Sequence, residues 1–247
     1  MNQDNRAKSR IMKTLNTMRK IMTMAAAGLV CLAASAAKTW EYRPSVSILG
    51  DSYSTYEGYI KPATNEMWYF ANESGDRTDV RDVTQTWWWL FIKENGFRLE
   101  QNNSYSGSTI SYKGYNESNY QPRSFITRVN NLGSPDILLI FGATNDSWAN
   151  VEVGEYKWEG QTDMDLYTFR PAIARLMKDV TVRYPNVDIY YIINSELRPE
   201  IVESVETACR KYGVPTIRLK DIDKINGHPS IKGMRQIADQ LKEAICK

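Results

Sequence analysis

A serine hydroxyl attacks a carbonyl only when a base takes its proton, and imidazole has the pKa for that work near neutrality. This 247-residue chain contains one histidine, His228, so a histidine base can be nowhere else. Among the serines, Ser52 stands out because Gly50-Asp51-Ser52 follows directly on the apolar run Val46-Ser47-Ile48-Leu49. Acyl transfer also needs hydrogen-bond donors where the carbonyl oxygen becomes an oxyanion. Three are available at comparable places: the Ser52 amide, the amide of Gly107 in Ser106-Gly107-Ser108, where no side chain obstructs approach, and the carboxamide of Asn145 in Gly142-Ala143-Thr144-Asn145-Asp146. Each residue also has a plainer use: Ser52 as a turn or cap, Asn145 in an Asx-turn, Gly107 as a positive-φ position and His228 as a neighbour of the last helix. Asp146 reads as structural.

Other chemistries lack their residues. With one histidine and three cysteines, a zinc site has too few ligands, and no metal or cofactor is expected. No phosphate-binding Gly-x-x-x-x-Gly-Lys-Ser/Thr loop, dinucleotide Gly-x-Gly-x-x-Gly fingerprint or Gly-x-Ser-x-Gly elbow is present.

The elements that must position these residues follow from periodicity. Short runs at 46–49, 98–102, 137–141, 189–193 and 216–219 read as strands, and the central ones are continuously apolar, as a parallel sheet covered on both faces requires. Between them lie helical patterns: 84–95, a short helix after Ser124, a stripe of Ile173, Leu176, Met177 and Val180, a helix over 201–212, and a last one after Ser230 bearing Met234, Ile237, Leu241 and Ile245. Alternating strands and helices imply an α/β protein, a three-layer α/β/α sandwich with its ligand beyond the carboxyl ends of the strands. Ser52, Gly107 and Asn145 all follow strands, and His228 lies between the fifth strand and the last helix, so they converge on one rim. Two long segments, 53–83 and 148–165, should overhang it. They carry Tyr56, Tyr59, Trp68, Tyr69, Phe70, Trp148, Tyr156 and Trp158, which either stack on sugar rings or cover their own loops. Trp87-Trp88-Trp89 shares helical spacing with Leu90, Phe91 and Ile92 and reads as core.

Residues 1–37 read as an address. A basic stretch ending in Met18-Arg19-Lys20 runs into an uncharged segment that closes in small residues, the order of a secretory signal peptide cleaved after Ala36 or Ala37. Its 17 apolar or small residues are short for a membrane anchor. The expectation is therefore a secreted or periplasmic domain over 38–247, with no stable membrane insertion after cleavage and monomeric. Of 31 basic and 29 acidic residues, six basic and one acidic fall before residue 38, leaving 25 against 28; a body of that balance has no electrostatic footprint for nucleic acid. Cys209 and Cys246 could pair in an oxidising compartment, or Cys209 could be a small core residue.

Taken together, Ser52 in Gly-Asp-Ser, Gly107 in Asn102-Asn-Ser-Tyr-Ser-Gly-Ser, Asn145 in Gly-Ala-Thr-Asn-Asp and His228 in Gly-His-Pro-Ser resemble the SGNH, or GDSL-type, hydrolases, in the family's order and over residues 45 onward. The resemblance implies a flavodoxin-like five-stranded parallel sheet of order 2-1-3-4-5 and metal-free hydrolysis of an ester, foremost an acetyl ester, on a small molecule or glycan. It makes Ser52 the nucleophile, His228 the base and acid, and Ser52, Gly107 and Asn145 the oxyanion hole. One position departs: the family's Asp three residues before the histidine is Ile225 here. Asp223 is the expected substitute, with Asp221 or a backbone carbonyl behind it. Two other readings stand beside the esterase: a non-catalytic glycan-binding protein on a degenerate scaffold, and an O-acyltransferase.

Overall fold

The computed structural model describes residues 12–20, 22, 41–72 and 76–246, of which 12–20 form a helix (α1). Two compact units are present, Met1–Tyr42 and Arg43–Lys247. Most of residues 1–37, with the expected cleavage site, lies outside the described residues, and among those described no helix is long and apolar enough to cross a membrane.

In the second unit, β1 (Ser45–Gly50), β2 (Arg98–Ser104), β3 (Ile137–Gly142), β4 (Asp188–Ile193) and β5 (Thr216–Arg218) form one sheet, every neighbouring pair parallel, in the expected order β2-β1-β3-β4-β5. Around it lie α2 (Trp87–Glu94), α3 (Phe125–Arg128), α4 (Thr144–Trp148), α5 (Phe169–Arg183), α6 (Pro199–Lys211) and α7 (Ile231–Ile245). Alternate side chains of each strand enter different cores. Leu138 and Ile140 of β3 join Phe125, Ile173, Met177, Ile201 and Val205 on one face. Ile137, Leu139 and Phe141 join Trp87, Trp88, Met234, Ile237 and Leu241 on the other. Both faces are thus buried, which is why β3 reads as an unbroken apolar run, and each such side chain contributes about 1.5–3 kcal/mol. Three layers follow.

Ser124 and Ser230 cap α3 and α7 as anticipated, accepting bonds from the Thr127 and Gly233 amides. The helix expected over 84–95 is split: Asp82 caps a 3-10 turn over Val83–Gln85, extended Thr86 breaks the helical path, and Thr86 then caps α2. Trp87 and Trp88 are core residues, and the Trp87 indole also donates to the Tyr53 carbonyl, 3.1 Å away. Cys209 is buried against Met177 and Cys246 is exposed; the two are not bonded to each other, so the core reading of Cys209 holds.

The second long segment departs from expectation. Tyr156 stacks on Trp158, and Trp158 packs on Tyr212 at the end of α6, with Arg170 and Lys211 over the rings. These aromatics cover the α5/α6 layer rather than the strand ends, because partly buried Trp158 finds apolar surface there. Only Trp148 of this segment reaches the rim. The stretch before α7 also holds a small antiparallel hairpin, β6 (Lys224–Ile225) and β7 (His228–Pro229). Its turn residues, Asn226 and Gly227, have φ of 50° and 76°, the left-handed pair that a tight Asn-Gly hairpin uses.

Candidate active site

The sheet order places the topological switch point between β1 and β3, whose chains leave in opposite directions from adjacent strands. Ser52 follows β1 as the first residue of a 3-10 turn, Ser52–Ser54, capped by Asp51, whose carboxylate accepts the Tyr53 amide at 3.0 Å. As the first residue of the turn, Ser52 has no partner within it for its N–H. Burial pushes the Asp51 carboxyl up to about 7 against the pull of that bond, of Thr144 and of Arg128.

The four sequence blocks meet. The Ser52 hydroxyl lies 2.9 Å from Nε2 of His228, and Nδ1 lies 3.1 Å from the carbonyl oxygen of Asn226. A carbonyl only accepts, so Nδ1 carries the proton and Nε2 presents its lone pair to Ser52. Gly107 has φ of +76°, open to glycine without strain. The amides on either side of it are bonded, Ser106 to the Glu66 carbonyl and Ser108 to that of Tyr105, whereas the Gly107 amide has no such partner among the described residues. Nδ2 of Asn145, in the first turn of α4, donates to the Ser108 carbonyl at 2.9 Å. Its second hydrogen remains for a ligand. The carboxamide's orientation is set from the other side by Tyr115, whose hydroxyl donates to Oδ1 at 2.8 Å.

Two buried charges lock these segments together. Asp146 accepts the amides of Ile110 and Ser111 at 2.8 and 3.0 Å, pinning the Gly107 loop to the Asn145 turn; burial holds its carboxyl up at about 6. This is the structural part assigned to it. Arg128 donates to the carbonyls of Gly50 and Asn103, to the Ser108 hydroxyl and to the Arg123 carbonyl, so one guanidinium spans β1, which leads to Ser52, and the Gly107 loop. Tyr115 and Arg128 went unnoticed in the sequence. Nothing in their spacing marks them, since each acts through contacts made only after the loops are folded.

Asp223 is not brought to the imidazole, and that expectation is corrected. Continuing the hairpin ladder, the Ser230 amide donates to the Asp223 carbonyl at 3.1 Å, so Asp223 faces Ser230 while Ile225 faces His228. The Asp223 carboxylate accepts the Ser230 hydroxyl and pairs at 3.9 Å with Lys232, at the start of α7. The hairpin is held there by close approach: a Cβ on Gly233 would lie 2.0 Å from the Asp223 oxygen. Of the alternatives, it is a backbone carbonyl, that of Asn226, which holds the ring.

The imidazole is enclosed by aromatic rings. Trp68 stacks on it face to face, centroids 3.5 Å apart and planes at 6°. Tyr53 and Trp148 approach at 5.3 and 5.9 Å. This burial lowers its pKa to about 4, the Asn226 bond opposing and the charges of Arg77 and Lys224 adding to the effect. At neutral pH the ring is a neutral acceptor. Trp148 is 43% exposed and is the more open of the two tryptophans beside His228, Trp68 being half-buried. No group of residues able to hold a metal ion occurs among those described.

Residues 44–245 match the model of the GDSL-like lipase/acylhydrolase family. Among curated proteins none matches. Among solved structures, a Bacteroides ovatus ATCC 8483 protein assigned to the GDSL-like lipases is 55% identical with a TM-score of 0.82, covering 83% of this chain and 99% of that one. One from Bacteroides uniformis ATCC 8492 with the same assignment is 50% identical with a TM-score of 0.81, covering 84% and 97%. The acetyl xylan esterase Est2A of Butyrivibrio proteoclasticus shares the fold at 16% identity and a TM-score of 0.55, covering 83% and 64%. With the family model spanning all four blocks and the sheet in its flavodoxin-like order, this chain belongs to the GDSL-like lipase/acylhydrolase family of SGNH hydrolases.

Proposed function

We propose that this protein is an exported, monomeric serine esterase that removes short acyl groups, foremost acetyl, from a carbohydrate ester, with Ser52 and His228 as a catalytic dyad. The observation that carries the reading is the 2.9 Å contact between the Ser52 hydroxyl and Nε2 of a neutral imidazole. As the Ser52 Oγ–carbonyl carbon bond forms, the hydroxyl proton passes to Nε2 and the carbonyl π pair moves onto oxygen. That oxyanion is received by the amides of Ser52 and Gly107 and by Asn145 Nδ2, each donor being worth about 2.7–4 kcal/mol of barrier. Collapse breaks the bond to the alcohol oxygen, which takes the proton from Nε2, and water repeats the sequence to release the acid. The Asn226 carbonyl keeps the working tautomer throughout. It is a dipole rather than a charge, so it stabilises the imidazolium less than a carboxylate would.

The carbohydrate part of the reading rests on Trp148. His228 returns its proton to the leaving alcohol, so the alcohol departs past the ring that Trp148 borders, and an exposed indole suits the C–H face of a sugar. The fold shared with an acetyl xylan esterase is in keeping with it. The export part of the reading rests on the signal-peptide order of residues 1–37. The glycan-binding alternative draws on Ile225, where a carboxylate is missing, but a binder has no need of an aligned serine, imidazole and three donors.

The test is hydrolysis of p-nitrophenyl acetate and butyrate and deacetylation of acetylated xylan by the purified protein beside Ser52→Ala, with fluorophosphonate labelling of both. Labelling and acetate hydrolysis that vanish in Ser52→Ala support the dyad. A folded wild type that neither labels nor exceeds the mutant refutes it, and product partitioning to an added alcohol would favour the acyltransferase.

A further inference from the structure

A triad carboxylate holds the imidazole in one plane and one tautomer and keeps the pair from competing water. Here no carboxylate among the described residues touches His228, and the Asn226 carbonyl fixes only the Nδ1 end of the ring. Against its face lies the indole of Trp68, nearly parallel and 3.5 Å from the imidazole. Trp68 is itself anchored. Its amide donates to the Thr55 hydroxyl at 2.9 Å, and that hydroxyl donates to the Ser52 carbonyl at 2.9 Å, so the stacking ring is tied to the nucleophile's own turn. Arg77 lies 4.4 Å from the indole and donates to the Trp68 carbonyl. The same segment grips the histidine hairpin further along: the Tyr69 hydroxyl donates to the Pro229 carbonyl at 2.9 Å, Asn226 Nδ2 to the carbonyls of Asp76 and Arg77, and the Ile231 amide to Asp79.

We propose that Trp68 is a positioning residue that fixes the plane of His228, so that Nδ1–H stays on the Asn226 carbonyl that selects the tautomer, and that it shields the ring from water, a task that falls to a carboxylate in a Ser-His-Asp triad. The long segment between β1 and α2 is then part of the base's scaffold, in addition to being a rim of the site. The proposal rests on the esterase reading for its consequence in turnover, although the ring geometry can be measured without it. The charged and titratable groups around His228 are Arg77 behind the indole, Lys224 of β6 paired with Glu196, and Tyr53 and Ser52 from the nucleophile turn. Among the described residues none is a carboxylate in contact with the ring.

Because His228 is the only histidine in the chain, its nitrogen and carbon resonances in the untagged protein are unambiguous. The experiment titrates them by ¹⁵N and ¹³C NMR in wild type, Trp68→Leu and Trp68→Phe, alongside kcat and KM on p-nitrophenyl acetate. In wild type the expected result is one neutral tautomer protonated at Nδ1, ring protons shifted upfield by the indole, and titration far below the ordinary histidine range. In Trp68→Leu both tautomers appear, titration moves up toward the ordinary range, and kcat falls about tenfold or more with KM within about threefold, since ground-state binding is untouched. Trp68→Phe, which keeps a ring to stack, falls between. If both variants keep the wild-type tautomer and titration, the proposal is overturned, whatever happens to activity. Should Trp68→Leu fail to fold, Trp68→Phe decides by the same two NMR readouts. A wild type that stacks and titrates as described yet neither hydrolyses ester nor labels would sink the esterase reading and leave the positioning result standing.

Discussion

Tyr115→Phe removes one oxygen and asks how much of the oxyanion hole depends on the aim of a single carboxamide. Asn145 is held from two sides, by its own Nδ2 donation to the Ser108 carbonyl at 2.9 Å and by the Tyr115 hydroxyl donating to Oδ1 at 2.8 Å. Burial, aided by the negative charge of Asp51, raises the phenol to about 12, so Tyr115 remains a donor throughout the working pH range. The variant loses one neutral hydrogen bond and keeps the other. A bond of that kind is worth about 0.5–1.5 kcal/mol net, which corresponds to a roughly 2- to 13-fold loss if it acts only in the transition state. Asn145→Ala deletes the donor itself and should cost about 10²–10³ in kcat. The assay is kcat and KM on p-nitrophenyl acetate for Tyr115→Phe, Asn145→Ala and the double variant. The double variant should be no slower than Asn145→Ala, because Tyr115 acts only through that side chain. If Tyr115→Phe is as damaging as Asn145→Ala, or if the two losses multiply, Tyr115 is not an aiming residue and the reasoning fails.

The pH dependence and the buried cation give two further expectations. The proposed reaction needs unprotonated His228, and burial lowers its pKa to about 4, so the loss of kcat/KM that tracks protonation of His228 should come as pH drops through about 4, while any step between pH 7.5 and 5 belongs to the Asp51 and Asp146 carboxyls at about 7 and 6. At pH 5 a base of pKa about 4 is about 90% active, where one at 6.5 would be about 3% active; His228 resonances that titrate near 6.5 would contradict the enclosure described. Arg128→Met takes a donor from the carbonyls of Gly50, Asn103 and Arg123, of which Gly50 keeps the Tyr105 amide. Unsatisfied buried groups cost about 1–3 kcal/mol each, and a net loss of about 3 kcal/mol would lower Tm by roughly 6–12 °C in a domain of this size. Scanning calorimetry should also find Arg128→Lys recovering less than half of that loss, because an ammonium cannot fork to several carbonyls; a shift under about 2 °C would show the network to be dispensable.

What the sequence determined is what periodicity and local chemistry can encode. Continuous apolar strands such as Ile137-Leu-Leu-Ile-Phe141 require burial on both faces, and the helical stripes supply the two covering layers, so the α/β/α sandwich was legible in the periodicity, while the sheet order came from the resemblance that the four blocks carry. Ser52, Gly107, Asn145 and His228 were legible too, because each sits at a chain position that the fold returns to one rim. The surroundings of His228 were decided only by tertiary structure. Ile225 announced that a carboxylate was missing, but sequence distance made Asp223 its natural replacement. The two-residue Asn226-Gly227 turn instead sets Asp223 opposite Ser230 and delivers a carbonyl to Nδ1. Trp68, 160 positions away in sequence, and Tyr115 and Arg128 in other loops carry no local signature. Their parts arise from contacts between segments with no fixed spacing, and such contacts exist only once the sheet has brought the loops together.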